Sequence, residues 1–187
     1  LFTNKTLTNV TALLSAMPMT AGVVVNAPPF VNKMLPMSYL YEATEGINVN
    51  TKIGTSTVPL ELTRSVAKIV VKSTVADFTL SGIHSVYNMN KNTVLHNLSG
   101  NLETAASMVD YIRNDANEDF VSATANVTDP IYVYEAKSGT GAYMIIRAFY
   151  KGLESYYKIA IADDELKYID IKRNHEYRFT IISANFP

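Results

Sequence analysis

Short segments in which apolar and polar residues alternate fill this chain from Val58 onward, and they constrain its fold more than any other feature. Because successive side chains of a strand point to opposite faces, such alternation places one face on a core. The longest segment spans residues 142–151 and has apolar residues on both faces. Turn-forming sequences at 139–141, 152–155 and 163–165 separate the segments. The pattern predicts a mainly β chain folded as an antiparallel β-sandwich.

The predicted sandwich covers residues 58–182 and has about seven strands. Gly82 interrupts one of these strands and allows a bulge or a bend there. Within the other strands, the apolar residues at alternate positions are expected to share an inward face. The side chains that we expect in the core are those of Ala67, Ile69, Ile145, Phe149, Ile159, Phe179 and Ile181.

Two stretches have helical rather than alternating spacing. Leu7, Val10, Leu13, Leu14 and Met17 would share one side of a short helix in the N-terminal segment, which Pro18 would end. Residues 102–112 form the second stretch, which we expect as a helical insertion between strands.

Residues 1–54 differ from the rest of the chain. They contain a three-valine segment at 23–25, several prolines, and a polar stretch from residue 42 in which apolar residues are sparse. We interpret residues 1–54 as the tail of an N-terminal domain plus a linker, and residues 55–187 as a C-terminal sandwich domain. The chain begins with Leu1 and has no leader-like sequence, so we expect it to be a piece of a longer protein.

Composition argues against several classes of function. Sixteen Lys and Arg residues against seventeen Asp and Glu residues provide no basic surface for nucleic acid. The 187-residue chain has no cysteine, which excludes disulfides, cysteine-bound zinc and thiol nucleophiles. No apolar run reaches the roughly 18 residues that a membrane-spanning helix needs.

The polar motifs do not form a recognisable catalytic pattern. Gly139 and Gly141 lack the lysine and the following helix of a phosphate loop, and the histidines are scattered at positions 84, 96 and 175. Residues 115–119 space oxygen side chains as a calcium loop begins, but Phe120 and Asn126 stand where Gly and Glu are needed. We therefore predict no enzyme activity, no catalytic residues, no metal site and no cofactor.

Tyrosine is unusually frequent, with 12 residues against 7 Phe and no Trp. Most tyrosines in the second half lie on or beside predicted strands, where the ring can be buried with its hydroxyl at the edge. This favours packing and cross-strand pairs. A tyrosine-lined surface that stacks on sugars is the alternative.

Several segments, in order, resemble the C-terminal domain of the Bacteroidales fimbrillins, or type V pilins. Residues 35–38 (LPMS) and 58–71 (VPLELTRSVAKIVV) are similar to the entry into that domain. Residues 168–181 (YIDIKRNHEYRFTI) contain a similar Arg-Asn-x-x-Tyr turn and strand, with residues 132–135 and 156–159 between them in the expected order.

This resemblance implies a transthyretin-like β-sandwich and a structural subunit of a bacterial surface fimbria. Fimbrillins are exported as lipoproteins and polymerise by donor-strand exchange after proteolysis, so the implied location is the cell surface and outer membrane. The implied partners are other fimbrial subunits, with host proteins or glycans in addition. A surface adhesin or carbohydrate-binding sandwich at a fimbrial tip is the alternative. Neither the donor strand nor the cleavage site is assigned to a residue here, including Arg64.

Overall fold

The computed structural model describes residues 17–18, 35, 37–39, 50–52, 54–55, 59–93, 102, 108–112 and 119–185. In this part of the chain the backbone is almost entirely extended. Its one helical element is a single 3-10 turn, Ser138–Thr140. The strands are β1 (Met17–Pro18), β2 (Met37–Ser38), β3 (Thr63–Arg64), β4 (Val66–Ser73), β5 (Phe78–Asn90), β6 (Asn92–Thr93), β7 (Met108–Ile112), β8 (Val121–Thr124), β9 (Val127–Thr128), β10 (Ile131–Tyr134), β11 (Tyr143–Tyr150), β12 (Leu153–Ala160) and β13 (Glu176–Ile181).

Two groups of strands form the layers of the sandwich. In the first sheet β4 is central, with β10 antiparallel on one side and β13 parallel on the other. In the second sheet β5, β11 and β12 run antiparallel in that order, and β7 and β8 pair with the other side of β5. The β8–β9 hairpin links the layers, because β8 pairs with β5 while β9 pairs with β4.

The core lies between these layers and is formed by side chains at alternate positions. Ile69 and Val71 of β4 are fully buried, as are Met144 and Ile146 of β11. Tyr134 of β10 is also buried, and its burial raises the pKa of its hydroxyl. The predicted β-sandwich is confirmed.

Gly82 lies at an irregular part of β5, as predicted. The pairing of β5 with β11 shifts register on both sides of the Gly82–Arg147 pair. A Cβ atom at position 82 would lie 2.1 Å from the carbonyl oxygen of Val121 in β8. Glycine is therefore required because the backbone of β8, which pairs with β5, approaches very closely at this point.

The predicted core is correct on β4 and wrong on β11, where the inward face consists of Met144, Ile146 and Ala148. Ala67 and Ile69 are buried, whereas Phe149 is 40% exposed and Ile145 is only half-buried. Since both faces of β11 are apolar, alternation alone did not distinguish the inward face. Three other predicted core residues, Ile159, Phe179 and Ile181, are half-buried and pack against the core.

Two further expectations need correction. Residues 108–112, predicted as the end of a helix, form strand β7 and pair with β5, since Tyr111 gains burial in the core there. In addition, β13 runs parallel to β4, which departs from a wholly antiparallel arrangement.

Other predictions fall largely outside the described residues. These include the N-terminal helix, of which only Met17 is described and lies in a strand, the 23–25 segment, and residues 103–107. The division at residues 54 and 55 remains a prediction. No helix in the described ranges is both long and apolar enough to span a membrane.

Candidate functional site: an open seam between two strand edges

The last strand of each sheet borders a groove of about 550 Å³. One wall is the end of β12 and the turn after it, and the other wall is β13. We call this groove, lined by residues 158–160, 162–164, 166, 169 and 177–181, the open seam. Each wall is a sheet edge, so the backbone groups of both strands decide what the seam can bind.

The outer edge of β12 has unpaired backbone groups. The N–H of Ile161, just beyond the strand, donates to the carbonyl oxygen of Ala142 at 3.0 Å, which shows which positions face β11. In an antiparallel pair every second residue bonds to a given neighbour. Tyr156, Lys158 and Ala160 consequently direct their N–H and C=O groups away from β11, and β12 has no second partner strand within the described ranges.

The outer edge of β13 is open in the same way. The carbonyl oxygens of His175 and Ile181 accept bonds from the N–H groups of Lys68 and Thr74, at 2.9 and 3.0 Å. Odd-numbered positions of β13 therefore face β4. The N–H and C=O groups of Glu176, Arg178 and Thr180 point to the free edge, where the described part of the chain has no partner strand.

The inward side chains at these edges are incompletely covered. On β13, Tyr177, Phe179 and Ile181 are half-buried, and on β12 the same is true of Tyr157 and Ile159. Inward residues on the neighbouring strands β4 and β11 are fully buried. The core is therefore complete in the middle of each sheet and lacks cover at the open seam.

Charged side chains surround the start of β13. Lys68 and Arg178 both form ion pairs with Glu176, the first at 3.2 Å. The bond from Lys68, followed by that from Arg178, lowers the pKa of the Glu176 carboxyl below its usual value. The charges thus tie the solvent-facing side of β13 to β4 and leave the backbone edge free.

The Arg-Asn motif holds the turn that leads into β13. Arg173 binds the buried carboxylate of Glu135 through two bonds, Nε–Oε2 at 2.8 Å and Nη2–Oε1 at 2.6 Å. Its Nη2 also donates to the hydroxyl of Thr93 at 3.1 Å. Glu135 is only 2% exposed, and the pair joins two of the segments that resemble fimbrillins, residues 132–135 and 168–181. We call Glu135, Arg173 and Thr93 the polar clasp.

Asn174 and Tyr177 complete the turn. Asn174 adopts a left-handed conformation with φ 59°, and its N–H donates to the carbonyl oxygen of Val66 at 2.8 Å. The Tyr177 hydroxyl accepts from the N–H of Lys172 at 2.8 Å and donates to the carbonyl oxygen of Asp170 at 2.9 Å. Burial raises the pKa of this hydroxyl. The motif is therefore structural: it sets the position of β13, and with it one wall of the open seam.

The two described histidines, His84 in β5 and His175 just before β13, belong to different sheets. His84 packs edge-on against Tyr156 at 5.1 Å between ring centroids, and its Nδ1 lies 3.8 Å from Asp119. Arg147 already binds that carboxylate through Nε and Nη2, both at 3.0 Å. His175 Nδ1 lies 2.8 Å from the carbonyl oxygen of Arg173, beside the β13 turn.

The weak calcium and phosphate motifs are not assembled into sites in the described ranges. Of the acidic residues at 115–119 only Asp119 is described, and it faces Arg147. No group of three potential metal ligands occurs in that part of the chain. Residues 138–140 form the 3-10 turn, which ends at Gly141 with φ 64°. His96 lies outside the described residues.

Two tyrosines on the second sheet contact each other across neighbouring strands. Tyr87 and Tyr143 are cross-strand partners whose rings stack at 4.6 Å. The ammonium of Lys158 lies 4.2 Å from the Tyr143 centroid, and burial, with Tyr87 next, raises the pKa of the Tyr143 hydroxyl. Ring faces engaged in this way are less suited to sugar stacking than to cross-strand packing.

Sequence reasoning missed the open seam. The alternation on residues 156–161 and 177–182 predicted the strands correctly, but gave no information about their neighbours in the sheet. The predictions from sequence also did not include Leu166, which lies in the acidic turn between these strands. An apolar residue where a tight turn normally contains glycine was the signal available there.

In the described part of the chain, the fold is a two-layer β-sandwich with two free strand edges beside an incompletely covered core. A solved structure has a similar fold. The chain is similar to the tip fimbrial protein Mfa3 from Porphyromonas gingivalis, solved with a C-terminal truncation. The TM-score is 0.57 and the identity 17%, over 95% of this chain and 68% of that one.

Two further similar structures are described as candidate cell adhesion proteins. The one from Bacteroides fragilis gives a TM-score of 0.41 at 11% identity, over 68% of this chain and 44% of that one. The one from Bacteroides uniformis gives 0.39 at 12%, over 67% and 48%. No family model matches the sequence, and no curated protein matches it.

The resemblance to fimbrillins is thus confirmed at the level of the fold. That this chain is not an enzyme stays a prediction, since a likeness at 17% identity shows the fold alone.

Proposed function

We propose that this chain is part of a fimbrial structural subunit that polymerises by accepting a strand from a neighbouring subunit in the open seam. The observation that carries the proposal is the pair of free edges, β12 and β13, beside half-buried inward side chains. The fold shared with a fimbrial tip protein supports it.

The seam provides both elements of strand recognition. Free N–H and C=O groups at alternate residues can bond to an added strand and thereby determine its register. The uncovered sides of Ile159, Phe179 and Ile181 would contact every second side chain of that strand. Fully burying one Val, Leu or Ile contributes about 1.5–3 kcal/mol, against roughly 0.5–1.5 kcal/mol net per hydrogen bond. Because each inward side chain of an added strand comes with about two backbone hydrogen bonds, the two contributions to affinity are of similar size.

We extend the proposal to location and partners. The complete protein would be exported, anchored by lipid to the outer membrane as a precursor, and displayed on the cell surface in a fimbria that supports adhesion. Its partners would be other fimbrial subunits, with host proteins or glycans as additional ligands. We also propose donor-strand exchange, in which the strand that fills the groove of the precursor leaves before the strand of a neighbouring subunit binds there.

Proteolytic trimming is the first test of assembly. We expect the complete precursor to remain monomeric, because its own strand fills the acceptor groove, and the trimmed protein to form fibres resistant to mild denaturant. Electron microscopy and electrophoresis without boiling would compare the two forms at equal concentration. A trimmed protein that stays monomeric and binds a glycan or host protein at micromolar affinity would replace this proposal with the adhesin alternative.

Substitution at the β13 edge tests the seam itself. Arg178→Pro removes an N–H that points to the free edge and leaves the bonds between β13 and β4 intact. We expect this variant to fold with a normal melting temperature but to polymerise poorly. Arg178→Ala, which also removes the ion pair with Glu176 but retains the N–H, is the matched control and should polymerise normally. Equal polymerisation of the two variants would exclude strand addition at this edge.

A further inference from the structure

The turn between β12 and the segment leading to β13 contains a leucine in an unusual position. Two hydrogen bonds define the turn. The N–H of Leu166 donates to the carbonyl oxygen of Asp163 at 3.0 Å, and the N–H of Asp163 donates to the carbonyl oxygen of Lys167 at 2.9 Å. This is a three-residue hairpin loop in which a tight turn is followed by a left-handed residue. Leu166 is that residue, with φ 61°.

Glycine normally fills such a position, because a Cβ atom makes the left-handed conformation costly. The side chain of Asp163 reinforces the turn, since its Oδ1 accepts from the N–H groups of Glu165 and Lys167, both at 3.0 Å. A rigid turn therefore holds a bulky residue in a conformation that its own side chain disfavours.

Packing does not explain the leucine. Leu166 is 84% exposed, the most exposed large apolar side chain in the described part of the chain. It nevertheless lines the open seam, on the same side as Ala162 and opposite β13. A strained and solvent-exposed leucine at this place gives little to the isolated domain.

We propose that Leu166 is an apolar anchor for the neighbouring subunit whose strand occupies the open seam. The inference rests on the proposed function and adds a contact outside the paired backbone edges. When the seam is filled, the leucine side chain leaves water and packs against apolar side chains of the inserted segment. The cost of the left-handed conformation is then offset by burial in the assembly instead of in the monomer.

The test combines stability and assembly in the complete, trimmed subunit. Leu166→Gly removes the strain, so its melting temperature should be higher than that of the wild type. The same variant should polymerise at least about tenfold more weakly, because a leucine burial is lost. Leu166→Met retains an apolar side chain and should assemble like the wild type. Leu62→Gly, which removes another exposed leucine outside the seam, should change assembly by no more than about twofold.

Each other outcome overturns the inference. If the wild type polymerises and Leu166→Gly does so equally well, the anchor is excluded while strand addition stands. A lower melting temperature for Leu166→Gly would show that the leucine stabilises its own domain. If the trimmed wild type does not polymerise, the proposed function and the anchor are both excluded.

Discussion

Single residues in this protein show how a short motif can be structural without containing any reactive group. Arg173 and Glu135 are far apart in sequence, yet they meet as a nearly buried ion pair with two bonds. Removing both charges from the interior is often tolerated, whereas removing one leaves the other without compensation. Asn174 contributes differently, because asparagine accepts the left-handed conformation that the turn requires. Together these residues orient β13.

The polar clasp leads to a stability prediction. We expect Arg173→Leu to destabilise the fold by about 3–5 kcal/mol, since Glu135 would remain buried without its partner. The double variant Arg173→Leu/Glu135→Leu should lose clearly less than this. Urea denaturation of the single and double variants measures the difference. A single variant with an unchanged midpoint would show that water replaces the guanidinium and that the clasp is not an important contact.

At the level of elements, the pairing of β5 with β8 depends on a very close approach of the two backbones at Gly82. Gly82 lies where β8 approaches β5, between two shifts of register. The side chain of Asp119 also lies closer than ordinary van der Waals contact to the place where a Cβ atom would be, with its Cβ at 2.9 Å and its Oδ2 at 3.0 Å. This close approach lets Asp119, just before β8, form an ion pair with Arg147 on β11. Glycine at position 82 therefore permits contacts that involve β5, β8 and β11.

A pair of glycine substitutions tests this close approach of β8 to β5. Gly82→Ala should destabilise the fold by at least about 2 kcal/mol, because the new methyl group would collide with the backbone of Val121. Gly139→Ala is the control: its Cβ would meet nothing within 4 Å, so we expect no loss and a gain of up to about 1 kcal/mol. Thermal and urea unfolding would compare both variants with the wild type. Similar stability for the two would mean that β8 moves aside readily.

Considered as a whole, the molecule is asymmetric in how well its core is covered. The middle strands of both sheets enclose fully buried side chains, while the two edges at the open seam leave inward residues half-buried. Isolated β-proteins usually protect such edges, because free backbone groups next to apolar residues invite pairing with another chain. Under the proposed function, the same asymmetry would make the folded domain an acceptor for a strand. The fold and the proposed assembly therefore depend on one property of the whole sandwich.

The whole protein should be stabilised by strand binding and not by metal ions. We expect no change in melting temperature with calcium or zinc, because residues 115–126 lack the glycine and glutamate of a calcium loop. A real site would add roughly 2.7 kcal/mol at a hundredfold excess over its dissociation constant, which a thermal melt detects. A calcium-dependent increase that Asp115→Ala abolishes would contradict this prediction.

The sequence by itself determined where the strands of the second half lie, because alternation along a strand is a local property. Turn residues and Gly82 were predictable for the same reason, since they reflect backbone conformation at single positions. Alternation did not determine which face of β11 is buried, as both faces are apolar and only packing in the common core selects Met144 and Ile146. Nor did it predict that residues 108–112 form a strand beside β5 or that β13 runs parallel to β4. Which edges remain free among the described strands, and hence where the open seam lies, was decided by tertiary structure alone, because strand pairing joins residues that are distant in the chain.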